Sequence, residues 1–345
     1  MNINKETRYS WIDIAKGILI CFVVIGHVGF CVQDEAYKDV YAFTSKLNPL
    51  FISYYMPAFF VITGMCSSFN KPFGEFFVKN FKALIIPNIL IGIFFAQWLN
   101  LFLSNTTGLS YLNILDIDYW AIVWNGGGQW FLSALFIAKI IMYFIYKYLF
   151  KYRKLTAVLL MSVLLLASVL YNKKLVPNVW FFEHALLLLP FMYAGVIMKD
   201  YTNYIRNNKL KILILGVLSL VLWMTLPLFG ISSPYVIGVP GVYWGNFIFF
   251  VIIALLETMA LCAISMIINI SKPLQTIGKH TLTTYLLHFS ILAFLLRCSF
   301  YYIDINTHIA VRIIALVLII LASIFLSVII DMWIDKHVKF LKGKF

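Results

Sequence analysis

The sequence predicts an all-α polytopic membrane protein with about ten transmembrane helices and both termini in the cytoplasm. Three observations carry this expectation. Apolar types make up 62% of the 345 residues and charged types only 12%, against roughly 45–50% and about 25% in a soluble domain. A soluble fold cannot hide so much apolar surface, which excludes a water-soluble enzyme and a disordered chain. Second, apolar windows of span length recur at 11–30, 51–69, 81–103, 130–150, 155–171, 179–198, 210–230, 245–268, 281–303 and 309–333. They lack the alternation of barrel strands. Third, the bases alternate between loops. One set holds Lys5 and Arg8, then Lys71, Lys79 and Lys82, then clusters around 147–154, 199–211, 272–279 and 336–344. The other set holds only Lys38, Lys46, Lys173 and Lys174. The base-rich set belongs inside. The formal charge of +13 therefore reflects topology, and no nucleic-acid partner is expected. Residues 1–345 read as a single membrane-embedded domain in the cell membrane.

The first window, WIDIAKGILICFVVIGHVGF, carries Asp13 and Lys16 and has no small-x-small cleavage site, so it is not a cleaved signal. Charge inside a span costs about 2.5–3.5 kcal/mol on insertion scales, so each such residue needs a reason. Asp13 and Lys16 are three apart and can pair on one face. Lys16 and His27 are eleven apart, on the same flank and about 16 Å apart along the axis. Snorkelling of Lys16 and simple packing of His27 would also account for them. A charged pair with a histidine on one face favours a functional stripe.

In the third window, FVKNFKALIIPN places Lys79 and Lys82 at a helix start before Pro87. Inner-leaflet anchoring explains both lysines. The functional alternative is a phosphate site at the cytoplasmic mouth. Lys139, in the fourth window, needs a carboxylate, and Glu257 in the eighth is a candidate, either as a structural ion pair or as part of a site. The stretch Asn125–Trp130 before the fourth window reads as a re-entrant loop or a flexible turn.

The ninth window aligns Thr281, Tyr285 and His288 on one face, either as a site or as interhelical glue. His280 is expected at the interface, and Glu183, His184, Arg297, His308 and Arg312 near outer span ends either line an outward pocket or rest at the interface. The five cysteines form no CxxC pair, and Cys21, Cys66 and Cys262 read as small buried hydrophobes. Neither a disulfide nor a metal site is expected.

These residues together resemble the integral-membrane acyltransferase-3 family. Lys16-x10-His27, preceded by Asp13, resembles the family's first-helix motif, with Lys where Arg is frequent. Met56, Pro57, Phe59, Phe60, Thr63 and Gly64 resemble its M-P-x-F-F-x-x-[ST]-G segment. Lys79, Lys82 and Pro87 resemble the third-helix motif, thinned by Asn80 and Ala83. Trp130–Phe136 resembles W-F-L-x-A-L-F. Gly278, Thr281, Tyr285 and His288 match a late G-x-x-[ST]-x-x-x-Y-x-x-H segment. The overall style is similar to the fucose 4-O-acetylase and exopolysaccharide O-acetyltransferase branch.

The resemblance implies transfer of an acyl group, usually acetyl, from acetyl-coenzyme A as donor substrate to a sugar hydroxyl. His27 would be the general base, or a nucleophile carrying the acetyl group. Asp13 and Lys16 would orient the donor. Lys79 and Lys82 would meet its phosphates, and Tyr285 and His288 would line the acceptor or assist the oxyanion. A neutral imidazole with an ordinary pKa of about 6.5 suits proton abstraction. The rival reading is a transporter or flippase of lipid-linked glycans. It would favour repeated halves and broken helices, and no repeat is visible.

Overall fold

The computed structural model describes residues 10–31, 35–44, 54–95, 130–172, 179–225, 237–238, 241–242, 247–299, 302–304 and 306–344. The stretch Asn125–Gln129 lies outside the described residues. Among the described residues the protein is helical, apart from a two-residue antiparallel pairing of Ile237–Gly238 with Gly241–Val242.

Helix α1 spans Ser10–Cys31 and α2 Glu35–Thr44. Helix α3 spans Tyr55–Cys66. Helix α4, Phe73–Asn80, continues through π-helical segments at Phe81–Ile85 and Asn88–Phe95. Pro87 stands between those segments; its missing N–H interrupts the regular ladder, and wider turns flank the break. Helix α5, Trp130–Phe144, runs on through a π turn at Ile145–Leu149 and a 3-10 turn at Phe150–Tyr152 into α6, Arg153–Asn172. Then follow α7 (Phe182–Met198), α8 (Thr202–Asn207), α9 (Lys209–Thr225), α10 (Phe247–Ile268), α11 (Lys272–Lys279), α12 (Thr281–Ser299) and α13 (Ile309–His337).

Among the described residues, seven helical runs are long and apolar enough to cross a membrane. Three of the ten sequence windows take a different form in the described residues. The fourth and fifth join in one run, Trp130–Leu164, because the basic segment between them stays helical. The second window holds a helix of only 12 residues.

Helices α1, α3, α5, α7 and α12 form the core, whose cluster includes Leu19, Phe60, Leu187, Phe191 and Leu286. Helices α6, α9 and α13 show apolar side chains outward, among them Leu159, Leu218, Val221, Leu318 and Phe325. An outward apolar surface on this scale suits lipid.

Two motif glycines set the core's closest crossings. A Cβ at Gly64 would strike the Met192 carbonyl on α7, and one at Gly195 would strike the Val61 carbonyl on α3. A Cβ at Gly278 would strike the Asp13 carbonyl, so α11 lies against the start of α1. Small residues permit this kind of backbone approach between membrane helices. Gly195→Val should destabilise the protein at or above the top of the ~1–3 kcal/mol range for overpacking. Survival of monodisperse protein after graded heating in detergent measures it; Gly74→Val, where the added side chain meets open space, should change little.

Several polar residues expected at an interface are instead buried. Glu183, His184 and Arg312 are 4%, 1% and 6% exposed. Arg312 donates to Asp39 at 2.6 Å and to the Thr307 carbonyl at 2.9 Å, tying α2 to α13. Burial pushes the Asp39 carboxyl up, but the Arg312 hydrogen bond, the Val40 N–H and the guanidinium charge outweigh it and hold the pKa below its usual value. The tie is therefore complete at neutral pH and is lost only as pH falls through that lowered value. Arg297 and His308 are exposed, and His308 accepts the Ala310 N–H to cap α13.

Candidate active site

His27 lies four residues from the end of α1, and Lys16 lies six residues past its start. The His27 ring is held by Nδ1, which meets the Val23 carbonyl one turn back at 2.7 Å. A carbonyl only accepts, so Nδ1 carries the proton and Nε2 presents the lone pair. His288 on α12 repeats the arrangement. Its Nδ1 meets the carbonyls of Tyr285 at 2.8 Å and Thr284 at 3.1 Å. Its Nε2 is buried without a hydrogen-bond partner among the described residues.

The two rings meet across α1 and α12, with centroids 4.9 Å apart and planes at 72°. Two imidazoles with fixed tautomers thus stand edge to face. The Tyr285 ring is 6.1 Å from His288 and 5.2 Å from Phe131 at the start of α5. The Trp130–Phe136 segment therefore packs directly against the histidine layer.

A cavity of about 270 Å³ opens on the other side of Tyr285. Lys16, Thr63, Cys66, Lys139, Thr281 and Tyr285 give it its chemistry, and Phe59, Phe131 and Leu135 its apolar wall. Neither histidine lines it; the cavity stops at Tyr285, one residue layer short of the His27–His288 pair. Thr281 and Tyr285 line it from the face of α12 that also carries His288.

Other residues take different places. Asp13 is 3% exposed near the crossing with α11 and is not part of the cavity wall. Lys79 and Lys82 are exposed and do not line the cavity either; Ala83 and Leu84 do. Lys139 does not meet Glu257. Its Nζ donates to Asn80 Oδ1 at 2.8 Å, whereas Glu257 accepts from Ser219 Oγ at 2.5 Å and joins α9 to α10. Cys66 is not a buried hydrophobe but an exposed thiol on the cavity wall, and all five cysteines are free. His280 is not a simple interfacial residue. It bonds the buried Asp331, which also takes Thr283 and, at 2.8–2.9 Å, Lys342.

His280, Asp331 and Asp335 bring three potential ligand atoms within 4.8 Å. The Lys342 ammonium already bridges both carboxylates, at 2.9 Å from each. That cluster is a lock on the C-terminus of α13.

The sequence leaves a site role open for Lys139 but offers Glu257 as its partner, and does not join it to Asn80. The signal was present in two separate features: a lysine inside a span, and an asparagine where the third-helix motif carries bases.

The described residues give a multi-pass helical membrane fold with a histidine pair behind a cavity that two lysines line. The chain belongs to the acyltransferase-3 family: the family's acyltransferase domain matches residues 9–332, nearly the whole length. It is a membrane acyltransferase. No curated protein and no solved structure matches it.

Proposed function

We propose that this acyltransferase moves an acetyl group from acetyl-coenzyme A to a hydroxyl of a sugar in a cell-surface polysaccharide or its precursor. Its motif style is similar to the fucose 4-O-acetylase and exopolysaccharide O-acetyltransferase branch. The observation that carries the reading is the His27–His288 pair, each ring fixed through Nδ1, standing one layer beyond a cavity that Lys16 lines.

In this reading His27 Nε2 takes the proton as the sugar oxygen attacks the thioester carbonyl. The C–O bond forms, the tetrahedral intermediate collapses, and the C–S bond breaks. The departing thiolate takes that proton from the His27 imidazolium and leaves as the free thiol. His288 flanks His27 and holds its place; Tyr285 orders the passage between cavity and histidines. Lys16 binds the donor, and Asp13 at the start of α1 sets the position of that helix against α11. Lys79 and Lys82 attract an anionic donor to the mouth from outside the cavity. The chain crosses the cell membrane about ten times with both termini inside, so the donor enters from the cytosol.

The test supplies purified protein, in detergent or reconstituted, with radiolabelled acetyl-coenzyme A and a de-O-acetylated polysaccharide from the host cell. Label should move to the glycan and be released by mild base, as an ester is. Donor cleavage without label in any glycan, or movement of glycan across a bilayer with no acetyl transfer, would overturn the reading.

A further inference from the structure

Lys139 sits where the fourth span would normally be apolar, and its side chain faces the same cavity as Lys16. The two lysines come from different helices, α1 and α5. Lys139 feels the charges of Lys79 and Lys16, so the three ammonium groups share one electrostatic neighbourhood. No carboxylate lines this cavity among the described residues. Asp13, the nearest acid in sequence to Lys16, is outside the wall. Glu257 is engaged with Ser219. Among the described residues the Lys139 ammonium donates to the neutral amide oxygen of Asn80, one of the three hydrogen bonds an ammonium can give.

A second cavity of about 270 Å³ on the protein shows the contrast. It also holds bases, Arg153 and Lys199, but Asp200 lies in its wall and pairs with Arg153 at 3.0 Å. Charge there is compensated from within. In the Lys16–Lys139 cavity it is not. Two cations kept together in a largely apolar pocket repel each other and lose hydration. A doubly charged anion between them removes both penalties.

We infer that Lys16 and Lys139 form the two jaws of a site for an organic phosphate, with Asn80 as the positioning residue that aims Lys139. This deepens the donor assignment proposed above and rests on it for the identity of the phosphate's carrier. The dimensions fit. Lys16 lies about 16 Å from His27 along α1. An extended pantetheine arm is roughly as long as a five-residue extended peptide, ~17 Å. A phosphate held by the two lysines would lay the arm along the cavity toward Tyr285, one residue layer from the histidine pair. The exposed Lys79 and Lys82 then serve capture, not seating.

Cys66 gives a readout that needs no turnover, since its thiol shares the cavity wall. In the full-length protein, the rate of Cys66 alkylation by N-ethylmaleimide is followed by peptide mass spectrometry. Inorganic pyrophosphate should slow the wild-type reaction severalfold. The protection should vanish in Lys139→Gln and Lys16→Gln and persist in Lys139→Arg. Gel filtration of each variant establishes that it is folded; Lys139→Arg separates loss of charge from loss of packing. Unprotected wild-type protein, or equal protection in Lys139→Gln, overturns the phosphate site. Acetyl-coenzyme A should protect at lower concentration than pyrophosphate, and S-acetylpantetheine, which lacks phosphate, should protect least. If pyrophosphate protects through Lys139 but acetyl-coenzyme A does not, the phosphate site stands and the donor assignment falls.

Discussion

His27→Ala should abolish most acetyl transfer while leaving the protein in the membrane at its normal level. The rate should fall by about 10²–10⁴-fold, the usual contribution of a positioned general base. The expected loss is catalytic because the ring bonds the Val23 carbonyl within its own helix and packs against His288. Removing it deprives no buried carbonyl of a ladder bond, since Val23 keeps its place in α1. The reduction should appear in kcat and in kcat/KM alike, because the proton moves only as the transition state forms. A rise in KM alone would mark His27 as a binding residue. Transfer to glycan, normalised to protein quantified in the same membranes, makes the comparison.

The largest effect on stability should come from Asp331→Ala. Asp331 is fully buried and takes His280, Thr283 and Lys342 at once. Lys342 is itself 8% exposed, so the substitution leaves an ammonium with only the Asp335 contact at 2.9 Å. Breaking a buried pair from one side typically costs about 3–5 kcal/mol. Heating in detergent should bring aggregation at a markedly lower temperature. Lys344→Ala, which removes an exposed partner of Asp335, should stay within about 0.5 kcal/mol. The damage should extend to activity, because His280 precedes Thr281, the first residue of α12, and Thr281 lines the cavity. Equal stability of Asp331→Ala and Lys344→Ala would remove this lock from the account.

The helix period alone places Lys16 and His27 on one flank of α1, and Thr281, Tyr285 and His288 on one face of α12. Both statements concern a single helix, so spacing suffices. What brings His27 to His288 is the crossing of α1 and α12, and spacing within either helix does not encode that. The Lys139 side chain shows the same boundary. A lysine in an apolar window announces that it needs a partner; it does not say where the partner is. Glu257 was the obvious acid, yet Asn80 lies closer because the π-helical stretch after α4 passes α5. The motif glycines were visible as letters, and their reason, contact of Gly64 with the Met192 backbone and of Gly278 with the Asp13 backbone, exists only in the packed molecule. The basic segment after α5 reads as a loop by charge, but its lysines and tyrosines tolerate helix, and the chain stays wound into α6. Glu183 and His184 look interfacial from their position near a window's edge; their burial beside Trp130 depends on α5 and α7 packing together.

Chemical rescue tests the role of His27 most directly. Acetyl transfer from acetyl-coenzyme A to the glycan is measured for His27→Ala with increasing imidazole, at pH values on either side of imidazole's own pKa. The account predicts a crippled variant whose rate rises with the concentration of neutral imidazole. Transfer by His27→Ala at the wild-type rate with no imidazole present would contradict it.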